Sequence, residues 1–157
     1  MCVRRLLDII GNRVYSINMK ICKATLKDCK EIHKLSFVPG LANQEGYPPP
    51  RCWMESFVRE KQYAYVIRDD KEVVAFILGE RTCGGIGLVW MLGVEKSHQG
   101  KGLGTSILEY AAKQMKADGL RVVIVYGYTK NPAIKHILKK LDFQAGCTYV
   151  EYVKFLA

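Results

Sequence analysis

The sequence predicts an α/β (α+β) protein with about seven strands and about four helices in one domain. Three observations carry this expectation. Residues 88–94, Leu-Val-Trp-Met-Leu-Gly-Val, are apolar or glycine and rich in strand formers, so they read as a buried strand. They lead through Glu95-Lys96-Ser97-His98 into the turn Gln99-Gly100-Lys101-Gly102-Leu103-Gly104. There Leu103, Ile107, Tyr110, Ala111 and Met115 recur at helical spacing. Third, Tyr63–Arg68 and Glu72–Glu80 flank Asp69-Asp70-Lys71 as the two arms of a β-hairpin.

The first eighteen residues have no clear place: an appended turn of helix or an upstream start site. They are set apart as an N-terminal extension, 1–18, before a single domain, 19–157. Residues 19–24 read as the first strand. Thr25-Leu-Lys-Asp28 has the hydroxyl-x-x-acid spacing of a helix start, and Leu26, Cys29, Ile32 and Leu35 follow at helical spacing. That helix should stop near Val38, before Pro39-Gly40. Residues 39–50 form a loop that ends in Pro48-Pro49-Pro50. Arg51 to about Lys61 is the second helix, with Trp53, Met54, Phe57 and Val58 apolar. After the hairpin, Gly84-Gly85 closes another turn and the fourth strand runs from Ile86 to Val94. Asp118-Gly119 stops the third helix. Arg121–Tyr126 is a nearly continuous apolar strand. Asn131-Pro132 opens a last helix with Ile134, Ile137, Leu138 and Leu141 on one face. Phe143–Cys147 and Tyr149–Phe155 are expected as closing strands. No repeat, low-complexity tract or linker interrupts the order.

Bulk properties narrow the function classes. The 157 residues are 49% hydrophobic and 25% charged, which is ordinary for a soluble globular domain. The net charge of +9 suits an anionic ligand. Nucleic acid is not expected, because the lysines and arginines are scattered and no basic helix or zinc-finger spacing exists. The six cysteines form no Cys-x-x-Cys and no zinc spacing, so they read as buried, reduced thiols and no metal is expected. No apolar run approaches the roughly 20 residues of a membrane span. Leu6–Ile10 is broken by Asp8 and makes no signal-peptide core, so a cytoplasmic protein is expected.

A strand that ends in a glycine-rich turn and enters a helix is a device for phosphate binding. The first helical N–H groups lack internal partners, and the helix dipole adds positive charge. Glycine lets main chain approach an anion without a Cβ in the way. A Walker A loop is excluded, because Gly104 is followed by Thr105 with no lysine between. A dinucleotide fingerprint is excluded, because the run is G-x-G-x-G rather than G-x-G-x-x-G. What remains is Gln99, Gly102 and Gly104 in the pattern Q-x-x-G-x-G, with Val94 five residues upstream. This resembles the acetyl-CoA-binding motif of the GNAT superfamily of N-acetyltransferases, (Gln/Arg)-x-x-Gly-x-(Gly/Ala). The order of elements over residues 19–156 is similar to that family end to end.

The resemblance implies a mixed, mostly antiparallel sheet whose fourth and fifth strands splay apart. It implies an acetyl-CoA-dependent N-acetyltransferase that moves acetyl to a primary amine by direct attack. By resemblance, the N–H groups of Gln99, Gly100, Lys101, Gly102, Leu103, Gly104 and Thr105 hold the pyrophosphate, and the pantetheine arm lies beside the fourth strand. A backbone N–H near Leu92 would face the thioester carbonyl, Val94 would bond the arm, and Gly93 would leave it room, or mark a bulge. Asn131 matches an asparagine near the pantetheine and is equally a helix N-cap. Glu45, Tyr47 and Trp53 would border the acceptor, with core packing the alternative for Trp53. A small-molecule or protein amine is the expected partner, and a homodimer is common among such relatives. The positive net charge disfavours polyamines and favours neutral or acidic acceptors, protein N-termini included.

Transfer also needs proton handling. The family's last-helix tyrosine, seven residues after the asparagine, is here Leu138, and its fourth-strand glutamate, eleven before the glutamine, is Leu88. The glycine of its Gly-Phe pair is Asp142, before Phe143. Glu80 is the candidate base, with a water chain to bulk solvent the equal alternative. Tyr126, Tyr128 or Cys147 is the candidate acid. Glu95 is expected to face solvent and His98 to be structural. The alternative is a coenzyme A-binding protein with little or no transferase activity.

Overall fold

The computed structural model describes residues 6–10, 13–17, 19–37, 49–60, 62–127 and 130–148, the first two stretches as backbone. Strands β1 (Leu6–Ile10) and β2 (Arg13–Ile17) pair antiparallel as a separate two-stranded hairpin. The described residues of the extension are thus paired strands, not the appended turn of helix that was one of the two expectations. Strands β3 (Lys20–Lys23), β4 (Tyr65–Asp69), β5 (Glu72–Arg81), β6 (Ile86–Val94) and β7 (Val122–Val125) form one sheet in the order β3-β4-β5-β6-β7. All pairs are antiparallel except β6–β7, which is parallel.

Among the described residues the main sheet therefore has five strands, where about seven were expected. Phe143–Cys147 is not a strand. The Phe143 N–H donates to the Leu138 carbonyl at 2.9 Å, closing the last helix, and the Phe143 ring packs against the core. The expected strand Tyr149–Phe155 lies outside the described residues.

Two layers of helix cover the sheet. Helices α1 (Cys29–Leu35) and α2 (Arg51–Arg59) lie on one face, and α3 (Leu103–Ala117) on the other, with α4 (Pro132–Lys140) beside it. β5 is the central strand and is buried on both sides. Ala75 and Ile77 face α3, while Phe76 and Leu78 face α1 and α2. This is why residues 73–78 read as an unbroken apolar run. Buried aliphatic side chains of this size each contribute about 1.5–3 kcal/mol, and α3 alone supplies Leu103, Ile107, Leu108 and Met115. Gly79 and Gly87, on neighbouring strands, make the groove that Met115 fills. A Cβ on Gly87 would meet its Sδ at 2.5 Å.

Local signals explain the helix ends. Asp28 accepts from the Thr25 N–H at 2.7 Å and from its hydroxyl at 2.8 Å, and also pairs with Arg68. A 3-10 turn at Leu26–Asp28 precedes α1. Asn131 Oδ1 accepts from Ala133 and Ile134 N–H groups, capping α4, whose first residue is Pro132. Cys29 is buried, but Cys52, Cys83 and Cys147 are exposed, so the expectation of buried thiols fails for these three. No helix among the described residues is long and apolar enough to cross a membrane.

Candidate active site

The site is built around β6. Its pairing with β5 runs Ala75–Val94, Phe76–Gly93, Ile77–Leu92, Leu78–Met91 and then Gly79–Val89. Trp90 is therefore the extra residue of a β-bulge. The bulge expected at Gly93 is displaced to Trp90, and Gly93 stays in register with Phe76. Bulges twist and bend the strand that carries them. The parallel ladder to β7 ends here, at Val89–Val125, so Met91 to Val94 have no strand partner on that side among the described residues.

Backbone direction beyond the bulge follows from one hydrogen bond. The Glu95 N–H donates to Val74 O at 2.8 Å, toward β5. Successive peptide groups of a strand alternate sides, so Gly93 and Met91 also face β5. Leu92 and Val94 then present their N–H and C=O groups to the open gap beside β7. The Val94 carbonyl accepts from Gln99 Nε2 at 3.0 Å, which ties the first residue of the turn to the end of the strand.

The turn itself is a run of unspent donors. Among the described residues, the N–H groups of Gly100, Lys101, Gly102, Leu103, Gly104 and Thr105 donate to no protein acceptor. The Gln99 N–H does not join them, since it donates to Lys96 O at 3.3 Å. Leu103 and Gly104 are buried, where an unmet N–H costs about 1–3 kcal/mol. Gly102 caps α3 with φ +80°, in the left-handed region where only glycine sits without strain. Gly104 has another reason to be glycine: a Cβ there would meet Ile137 Cδ1 at 2.8 Å, so it lets α4 pack on the start of α3. The arrangement fits a diphosphate: six amides in sequence, a helix dipole behind them and the Lys101 side chain beside them.

The 3-10 turn Lys96–His98 braces this cradle. His98 Nδ1 lies 2.7 Å from Glu95 Oε2, and Nε2 lies 3.2 Å from Asp69 Oδ2 on the β4–β5 turn. Glu95, expected to face solvent, is held by His98 and Ser97, which keep its carboxyl below the usual range. The open concavity lined by Asp69, Asp70, Lys71, Glu72, Val74 and His98 sets three carboxylates against one lysine and suits an anion poorly.

On the α1–α2 face, three aromatic rings meet where the strands part. Trp53 on α2 lies 6.1 Å from Trp90, and Trp90 lies 6.4 Å from Tyr126, both edge to face. Trp53 also packs on Phe57 at 4.7 Å and against the core, which is the packing role expected for it. Glu80 Oε1 accepts from Trp90 Nε1 at 2.8 Å. Glu80 pairs in register with Leu88. A carboxylate therefore stands on the adjacent strand directly opposite Leu88.

The structure accordingly brings together Leu92, Gly93, Val94 and the turn on one side of the gap, with Glu80 and Tyr126 at its mouth. Asn131 spends its side-chain oxygen on the α4 cap. Leu138 packs toward Gly127, the residue after Tyr126. Tyr128, Glu45 and Tyr47 lie outside the described residues. Cys147 is exposed beyond α4. Sequence reasoning missed Trp90. Its only signal was a lone large aromatic within an aliphatic strand.

A model of the acetyltransferase (GNAT) family matches residues 26–143. No curated protein matches the chain in sequence. Among solved structures, Ard1 from Thermoplasma volcanium is similar with a TM-score of 0.73 at 17% identity, over 82% of this chain and 84% of that one. The ribosomal-protein-S18-alanine N-acetyltransferase from Escherichia coli has a TM-score of 0.70 at 16% identity, over 82% and 79%. AAC(6')-Iy, solved in complex with a bisubstrate analog, has a TM-score of 0.68 at 13% identity, over 88% and 99%. At these identities the likeness is one of fold.

Proposed function

The chain belongs to the acetyltransferase (GNAT) family, and on that premise we propose that it transfers acetyl from acetyl-CoA to a primary amine by direct attack. The observation that carries this reading is the run of six unspent amides from Gly100 to Thr105, continuous with the donors of Leu92 and Val94 along the open edge of β6. Amides of the turn would hold the pyrophosphate. The Val94 and Leu92 N–H groups would bond the pantetheine arm and the thioester carbonyl, and Asn131 would stand near the arm.

Acetyl-CoA supplies an acyl carbon already activated by sulfur. The protein's own tasks are to orient the acceptor, take its proton and supply one to the departing sulfur. A bond forms between the amine nitrogen and the acyl carbon, and the carbon–sulfur bond breaks. Glu80, held by the Trp90 indole, takes the proton from nitrogen. Tyr126, at the mouth of the gap, supplies the proton to the thiolate, with Tyr128 and Cys147 the other candidates. Donors aimed at the carbonyl oxygen stabilise the charge that develops there.

The test is calorimetry of coenzyme A with the folded protein, followed by thiol release from acetyl-CoA across a panel of amines. Binding together with amine-dependent release supports the proposal, and absence of binding refutes it. A second reading, a coenzyme A-binding protein with little or no transferase activity, is favoured by Leu88 and Leu138 at the family's usual acid and base positions. Binding without release above the hydrolysis background would select it.

A further inference from the structure

Resting on the transfer reading above, the further question is which acceptor the site takes. We infer that Trp53, Trp90 and Tyr126, with Glu80 behind them, form a subsite for an organic cation, so that the acceptor arrives as an alkylammonium. Three independent features converge. The rings stand at steep angles at successive contacts, 87° between Trp53 and Trp90 and 63° between Trp90 and Tyr126, which makes a corner rather than a stack. Trp90 is 43% exposed and Tyr126 58% exposed, so large aromatic surface stays open to solvent at the mouth of the gap. The carboxylate of Glu80 bonds to the indole N–H and brings negative charge to the same corner.

Aromatic faces attract cations through their quadrupole, and Trp does so most strongly. A carboxylate beside them adds direct attraction. The corner is therefore opposite in character to the chain as a whole, whose net charge is +9. Local charge decides what binds here, because exposed charges beyond about 8 Å are largely screened at physiological salt. The expectation from net charge, that acceptors are neutral or acidic, is thereby reversed. The same geometry serves the chemistry. An ammonium held at the corner hydrogen-bonds to Glu80, gives it one proton, and becomes the neutral amine whose lone pair attacks. The second proton, freed as the carbon–nitrogen bond forms, passes to solvent while the departing sulfur is protonated by Tyr126.

The chain's two tryptophans are Trp53 and Trp90, so tryptophan emission reports on this corner alone. The probes are choline and its uncharged tert-butyl isostere, titrated into the full chain at constant ionic strength. The expected result is a saturable change in emission, with choline about tenfold or more tighter than the isostere. Trp90→Leu and Glu80→Gln should each weaken choline binding about fivefold or more, while Trp90→Phe retains most of it. Equal affinity for the two probes, no saturable change with choline, or choline binding indifferent to both Trp90→Leu and Glu80→Gln would overturn the subsite. Coenzyme A calorimetry on the same samples separates the two readings. Choline binding without coenzyme A binding leaves the cation subsite standing and removes acetyl transfer. The opposite pattern removes the subsite alone.

Discussion

Replacing Gly102 by valine tests the anion cradle directly. Gly102 holds φ +80° at the cap of α3, and its N–H is one of the unspent amides. A side chain in the left-handed region costs about 1–2 kcal/mol, and β-branching puts valine at the upper end. If the backbone relaxes to escape that strain, the amides of Gly102 and Leu103 rotate away from the anion. Hydrogen bonds to a charged group are worth about 1.5–3 kcal/mol each. Losing two costs about 3–6 kcal/mol, or roughly a hundred- to ten-thousand-fold in coenzyme A affinity. The chain carries its own control. Gly119, after α3, has φ +81°, and a Cβ there meets nothing within 4 Å. Gly119→Val should impose similar strain and lower Tm by several degrees, about 2–4 °C per kcal/mol at this size, yet leave coenzyme A binding intact. Calorimetric titration and thermal melts on both variants decide the matter. If Gly102→Val keeps an affinity within about threefold of the parent, or if Gly119→Val loses as much, the amides of this turn do not hold the cofactor.

Three further outcomes are expected. Glu80→Gln should lower kcat by about 10²–10⁴-fold with coenzyme A affinity unchanged, as measured by thiol release and calorimetry; an unaltered kcat would remove Glu80 as the base. Asp28→Asn should destabilise the fold by about 2–3 kcal/mol in urea melts, below the figure for a fully enclosed pair because the Arg68 side chain is 28% exposed. Burial alone would raise the Asp28 carboxyl, but the Arg68 and Thr25 hydrogen bonds outweigh it and hold it below its ordinary value. Its contribution is thus present above the unfolded carboxyl value of about 3.9 and disappears as pH falls through the depressed folded one. Asp28→Asn should therefore flatten the acid limb of the stability curve. Finally, Asp142 has φ +59° where the family's usual residue is glycine, so Asp142→Gly should stabilise the protein by about 1 kcal/mol, read as a rise in Tm.

What could be read from the sequence shares one property: each feature depends on residues adjacent in the chain. The strand–turn–helix at residues 86–117, the hairpin turn at Asp69–Lys71 and the Asn131–Pro132 cap all stand where local pattern puts them. Asp142 shows the same logic, since a position that needs the left-handed conformation keeps it when its glycine is replaced. Features that depend on pairing between distant residues were not legible. The closing strand at Phe143–Cys147 was lost because Phe143 spends its N–H on α4 and its ring on the core. The bulge was misplaced to Gly93 because a glycine in a strand signals one only statistically, while the actual site is set by the register of β5 against β6.

The sequence by itself determined the glycine turn, because a positive φ and a run of amides without acceptors are properties of consecutive residues entering a helix. Only the tertiary structure decided which side chains meet at the other end of the gap. Glu80 stands opposite Leu88, and Trp90 reaches Trp53 and Tyr126, through the pairing of strands and the docking of α2. Side chains from separate elements converge only when packing sets the register, and no local spacing along the chain encodes that distance.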